Sequence, residues 1–529
     1  MMIPYPCNRT GAHQAVAGGG AVRGERGVFT FLRNGSVHQK AMTVDGVFLN
    51  SAKVRTMEVW SGGTANHTTV NSGGTQTISS GGLADGIVLN SGGRVSVCEG
   101  GTAANLTVNL YGYAYVSSGA SVSGGKVNSY GCLSVLGGAT VAGVSIGNYG
   151  QAAAASGGNT FRNIVLGSNG QFNAGGSAAV EHLSICSGAA FACQPGMEAR
   201  NISVLSGGLL NASSGCRCLD ARVESGGRIQ PYVLGHDEDT VLTGEDAHGP
   251  FSVGNGTASG FTMEGGAALQ LYYYASAVST TLSSGGSMFV SFGADAEHNT
   301  VCSYGRLQVY SGGTARDTAV GSGGYAYADF HGTCLDMQVS SGGAVYASNW
   351  GECSRVSVAR GGYAYGSMGG SFESVSVAGV LSLSSSASAT ETTVESGGYC
   401  SARRGCDLVS ADVKGGGSLW LNDYCNGTHV NVESGGSAWF LNTGRVSGLV
   451  LDDGAFASAS AYVTLSGVSV GGNARLFLSA NTTATDVSVA SGGTAYIGNG
   501  ASALNVVSAE GAVISVNGGY VEYAEGAAE

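Results

Sequence analysis

The chain has 529 residues, 92 of them glycine and 5 proline, with 43% hydrophobic residues, 11% charged residues and a formal net charge of −12 at pH 7. That balance excludes collagen, which needs glycine at every third position, and a charge-rich disordered chain, while supplying enough apolar residues for an ordered core. The acidic balance and the lack of a basic stripe argue against a nucleic-acid partner, and no apolar run of about 18 residues is present to span a membrane as a helix.

In chain order, the first segment, residues 1–55, is irregular. Met1 to Gly20 lacks the basic start and apolar stretch of a secretory signal, which suggests a truncated or mis-started chain. Val28 to Leu32 and Met42 to Leu49 read as strands and are expected to form a β cap over the first coil, covering edges that would otherwise stay unpaired.

Residues 56–529 are repetitive, with a 19-residue period. Val70, Leu89, Val108 and Val127 form one column at that spacing, each followed by asparagine at Asn71, Asn90, Asn109 and Asn128. A unit so short cannot enclose its own core and must bury its apolar residues against its neighbours. One unit, Thr64 to Gly82, has a long arm ending in Ser72-Gly73-Gly74 and a short arm ending in Ser80-Gly81-Gly82. Alternation of Thr, Val and Ile with small polar residues in the arms indicates half-buried strands, and paired glycines indicate tight turns. Strand and turn repeated without proline or helix caps predict an all-β parallel β-helix, or solenoid, of about 24 coils. The asparagine column predicts an amide ladder. Tyr111, Tyr130 and Tyr149, and again Tyr327, Tyr346 and Tyr365, predict stacked aromatics.

The least regular stretch, 228–261, is close to two units long and is expected to form two decorated coils. It carries the one dense acidic cluster: His236, Asp237, Glu238, Asp239, Glu245, Asp246 and His248. Two carboxylates there could serve as acid and base in glycoside hydrolysis, or bind a divalent cation; a solvated loop is the plainer reading. His67, His182, His298, His331 and His429 are scattered, and no ladder of aspartates suggests calcium-dependent coils. The sequons at Asn66 and Asn426 are attributable to chance in a chain this rich in Asn, Ser and Thr. Tyr272, Tyr273 and Tyr274 cannot all face inward, so an exposed aromatic strip that binds sugar faces or another copy is one reading, with stacking between coils the other.

Thirteen cysteines include two pairs at the repeat spacing, Cys334 with Cys353 and Cys406 with Cys425. Coils about 4.8 Å apart bring such pairs within disulfide range, so inter-coil bridges and free half-buried thiols both fit.

The beat SGGTANHTTVNSGGTQTISSGG from Ser61, with SGGTARDTAVGSGG from Ser311 and ASGGTAYIGNG from Ala490, resembles the passenger repeats of AIDA-type self-associating autotransporter adhesins over about nine tenths of the chain. The resemblance implies a right-handed β-helix on the surface of a Gram-negative bacterium, or secreted from it, acting in adhesion and cell aggregation. It also implies heptosylation by a dedicated glycosyltransferase on turn Ser or Thr; by position the candidates are Ser72, Ser80, Ser91, Ser311, Ser322, Ser341, Ser396, Ser434 and Ser491. The bland role for these serines is to serve the turn backbone. No alternating strands of a membrane barrel follow Gly493, so export and anchoring come from the resemblance alone.

These features predict a non-enzymatic adhesin without cofactors, whose partners are other copies of itself, host or bacterial surface glycans or proteins, and a heptosyltransferase. The alternative is a carbohydrate-active β-helix enzyme or phage-type spike using segment 236–248.

Overall fold

The computed structural model describes residues 23–24, 27–28, 43–51, 56–155, 157–235 and 239–525, and among them every regular element is a β-strand. The chain divides into two compact units, Met1–Val233 with Asp237–Gly256, and Leu234–His236 with Thr257–Glu529. Both are parallel β-solenoids with the 19-residue period expected from the sequence.

In the first unit each coil supplies a long-arm strand such as Thr102–Val108 and a short-arm strand such as Tyr113–Val116. Every arm pairs in parallel with the same arm one coil on. Val70 faces Leu89, Leu89 faces Val108 and Val108 faces Val127, all within 1% of full burial. Stacking thus converts sequence spacing into vertical contact and gives the short unit the core it cannot form alone.

The long arm departs from strict alternation. Ala103, Leu106 and Val108 all point inward, because Asn105 between them adopts φ 49° and adds one residue to the outer side. The same left-handed step falls on His67, Asn163, His182, Asn201 and Asp220, with glycine at Gly86, Gly124 and Gly143. These are the residue types that tolerate positive φ.

Turns close by short backbone bonds, as where Gly74 N–H donates to Asn71 O at 2.8 Å. In the next coil Gly92, at φ 72°, also leaves room for Ser72, whose Oγ would lie 3.1 Å from a Cβ there.

The coil pattern starts earlier than the S-G-G beat. Thr43–Asp45 and Phe48–Leu49 pair with Thr64–Asn66 and Thr69–Val70 at a spacing of 21, so the described part of this stretch, from Thr43 to Leu49, is the long arm of a coil rather than a cap laid across one. Of the other expected strand, Gly27–Val28 pairs antiparallel with Arg23–Gly24, and 29–32 lie outside the described residues. The irregular stretch also differs from the two coils expected. Val241–Asp246 pairs in parallel with Arg217–Val223, but Gly249–Gly254 folds back antiparallel on it, forming a hairpin. At 14 residues from Val241 to Gly254 the hairpin is shorter than the 19-residue unit.

The second unit repeats the plan from Thr257–Ser259 onward, with left-handed steps at His298, Asp317, Asp336, Arg355, His429, Asp486 and Asn505. Its spacing slips to 17 where Val375 meets Thr392. The inward column includes Thr280, Asn299 and Thr318, all buried; Thr280 N–H donates to Asn299 Oδ1 at 3.2 Å.

Candidate adhesive surface

Since the inner faces are built mainly of buried apolar side chains, the chemistry of each unit lies in its outward columns. On the first unit, Asn90 donates to Asn71, Asn109 to Asn90 and Asn128 to Asn109, at 2.9, 3.0 and 2.8 Å. This is the amide ladder expected from spacing. Beside it Tyr111, Tyr130 and Tyr149 occupy left-handed turn positions, about half exposed, with ring centroids 6.1 and 5.6 Å apart.

On the second unit the outer face of the short-arm sheet carries a second ladder. Tyr327, Tyr346 and Tyr365 stack at 4.7 and 5.0 Å, and Trp420 and Trp439 at 4.6 Å. Phe477 and Tyr496 stack at 4.3 Å in the same column. Desolvation between its neighbours, followed by the nearby phenols, pushes Tyr346 up to about 12. The long-arm face of this unit is charged. Arg316 bonds Asp295 at 3.0 Å, Arg355 bonds Asp336 through two contacts of 2.6 and 2.7 Å, and Lys414 pairs with Glu433.

Four of the five scattered histidines are ordered within their units: His67 and His182 in the first, and His298 and His429 in the second, stand at the left-handed step of the long arm, while His331 stands at a left-handed turn. Position along the coil explains them without chemistry. Glu297, His298 and Asp317 bring one ligand atom each within 4.8 Å of one another, but they are half-exposed or exposed, and Arg316 beside them is drawn to Asp295.

Of the acidic cluster, His236, Asp237 and Glu238 lie outside the described residues. Asp246 is engaged in the hairpin turn, its Oδ1 accepting from His248 N–H at 2.7 Å and Gly249 N–H at 3.0 Å.

All nine candidate serines, Ser72, Ser80, Ser91, Ser311, Ser322, Ser341, Ser396, Ser434 and Ser491, are exposed at turns. Ser311 Oγ donates to Phe330 O at 3.5 Å; the other eight hydroxyls make no hydrogen bond among the described residues.

The cysteine pairs are juxtaposed and present as free thiols: Cys334 faces Cys353 in register, and Cys406 N–H donates to Cys425 Sγ at 3.3 Å. The Cys406 thiol and backbone N–H groups favour the Cys425 thiolate, lowering it to about 7, and Cys406 is correspondingly raised.

Sequence spacing did not disclose the turn edge of the second unit. Tyr274, Phe292, Phe330, Trp350 and Met368 are all more than half exposed there. Bulky residues replace the Ser-Gly of the turn while its final glycine stays at the repeat spacing, as in Gly332 and Gly351; that substitution was the available signal.

A family described as "Adhesin of bacterial autotransporter system, probable stalk" matches residues 79–131 and 243–303. No curated protein matches the chain. Among solved structures, a TibC-catalysed hyper-glycosylated TibA fragment is similar at 20% identity, covering 91% of this chain and 99% of its own, with a TM-score of 0.19. The PL6 family alginate lyase AlyGC is similar at 8% identity, covering 88% and 100%, with a TM-score of 0.14. No helix of the described residues is long and apolar enough to cross a membrane.

Proposed function

We propose that this chain, an AIDA-type repeat protein, is the passenger of a bacterial autotransporter adhesin, displayed at the cell surface or secreted. It acts without catalysis, by multivalent contact with copies of itself and with glycans or proteins of host or bacterial surfaces. The observation that carries the reading is the match to the adhesin stalk family in a solenoid whose outward residues recur coil after coil. Repetition matters physically because many weak contacts held at fixed spacing act as one tethered set, so the joint affinity exceeds any single contact by orders of magnitude.

The experiment is to couple the intact chain to latex beads and follow their clumping. Clumping that falls steeply as coupling density is lowered supports multivalent self-association. Dispersed beads at full density, with no attachment to bacterial or epithelial surfaces, refute the adhesin reading.

Heptosylation by a partner glycosyltransferase on Ser72, Ser80, Ser91, Ser311, Ser322, Ser341, Ser396, Ser434 and Ser491 is part of the same proposal. Its support is their exposure at turns, with hydroxyls that the fold leaves largely unused. Intact-mass measurement on protein from the native host decides it, since a mass equal to the bare polypeptide removes the modification.

A further inference from the structure

Exposed aromatic residues of the second unit fall into two kinds, distinguished by which part of the ring solvent can reach. In the ladder of Tyr327, Tyr346 and Tyr365 the rings are nearly parallel, with interplanar angles of 13° and 20°, so both faces of Tyr346 are covered and Tyr327 and Tyr365 each turn one face to it. Only the edge and hydroxyl of Tyr346 remain open, and a ring so enclosed cannot stack on a sugar, whose C–H face needs a bare aromatic face.

Trp350 is different. It sits at a left-handed turn position, 63% exposed, and no aromatic ring of the described residues stacks on it. One face of its indole lies over the following turn, where a Cβ on Gly369 would be 2.7–2.9 Å from Cε3, Cδ2 and Cζ3. The residue's exposed surface lies away from that contact, and Phe330, 56% exposed, and His331 stand at the turn one coil earlier.

Beside this platform stands a carboxylate that is only half used. Asp329 Oδ1 accepts from Asn349 Nδ2 at 2.7 Å, Phe330 N–H at 3.1 Å and Ser348 Oγ at 3.2 Å, while Oδ2 takes part in none of these bonds.

We propose that Trp350, Phe330 and Asp329 form a binding site for a neutral pyranose unit of a surface glycan, the indole stacking on the sugar ring and Asp329 Oδ2 accepting from its hydroxyls. Asn349 supplies a further polar contact. The proposal rests on the adhesin reading and names a ligand class for it.

Size and charge select this occupant. Trp350 and Phe330 together expose on the order of 250 Å² of ring surface, well below the ~800 Å² per partner of a stable protein interface but enough for one or two sugar rings. A carboxylate at the centre of the site, on a chain of net charge −12, disfavours sialylated or uronic sugars.

The test presents the labelled intact chain to an array of neutral oligosaccharides ending in glucose, galactose, mannose, fucose or N-acetylhexosamine, with sialylated and uronic probes alongside. Binding to a neutral class is expected, weakened at least about tenfold by Trp350→Ala, less by Trp350→Phe, and also by Asp329→Asn, while Trp439→Phe in the covered ladder leaves it unchanged. The two conservative variants keep the test decisive if Trp350→Ala does not fold. Silence on every neutral probe, binding only to acidic probes, or binding unmoved by Trp350→Ala overturns the site. A silent array with beads that still clump overturns the site and leaves the adhesin reading standing. Clumping lost in Trp350→Ala with a silent array assigns the patch to a second copy and likewise overturns the glycan site.

Discussion

Asn109 Nδ2 donates to Asn90 Oδ1 at 3.0 Å, and its own Oδ1 accepts from Asn128, so a single side chain ties three coils together. Asn109→Ala removes both bonds and is expected to cost about 1–2 kcal/mol, whereas Asn128→Ala, whose neighbour in the next coil is Gly147, removes one and costs about half as much. Urea midpoints, supported by amide exchange across 71–128, would check the ranking; equal costs would mean that the ladder contributes little.

Two adjoining kinds of turn glycine separate space from backbone strain. A Cβ on Gly436 would lie 2.6 Å from Val413 O in the preceding coil, while one on Gly397, at φ 79°, would meet nothing within 4 Å. Gly397→Ala should therefore cost only the left-handed penalty of about 1–2 kcal/mol, and Gly436→Ala distinctly more, because the coils must part to admit it. Thermal midpoints of the two variants measure the difference.

Thr392 is buried between Val375 and Ala411 in the inward column, and its Oγ1 has no hydrogen-bond partner. Thr392→Val keeps the shape and removes the unmet hydroxyl, and should raise stability by about 1 kcal/mol. A lowered urea midpoint would show that the hydroxyl is satisfied in solution.

Arg355, by hydrogen bonding and then by charge, holds the Asp336 carboxyl below its usual range. A carboxyl lowered in the folded state stabilises above its unfolded value of about 3.9, and that contribution disappears as pH falls through the lower folded value. Melting followed from pH 5 to pH 2 should show a decline that is smaller in Arg355→Ala and in high salt, and of modest size because the pair is exposed.

The two cysteine pairs should differ in reactivity. With its thiolate favoured in the folded coil, Cys425 is the better nucleophile, so oxidised glutathione added to the folded chain should join Cys406 to Cys425 before Cys334 to Cys353. The joined peptides are read directly by mass spectrometry of an alkylated digest.

Where spacing alone carried the information, the sequence was sufficient. Val70 over Leu89, Asn71 over Asn90 and Tyr327 over Tyr346 follow from one rule, that residues a repeat apart become vertical neighbours in an in-register parallel stack. Position within the coil was harder to read. His67, His182, His298 and His429 looked scattered, although each lies three residues before the buried column of Val70, Ile185, Val301 and Val432. Strict alternation hid that step, because one residue at positive φ shifts the inward phase of the arm. The hairpin at 241–254 escaped because Gly226 and Gly265 stand 39 residues apart, close to two units. Trp350 escaped because a sequence does not say whether a ring offers its face or its edge.

The 19-residue offset that most pairing partners share also bears on how such a protein changes over generations. Recombination that duplicates or deletes one whole repeat joins Tyr327-like and Tyr346-like coils as neatly as the parent did, since every ladder simply gains or loses a rung. Length can then vary within a population while the platform around Trp350 is inherited intact.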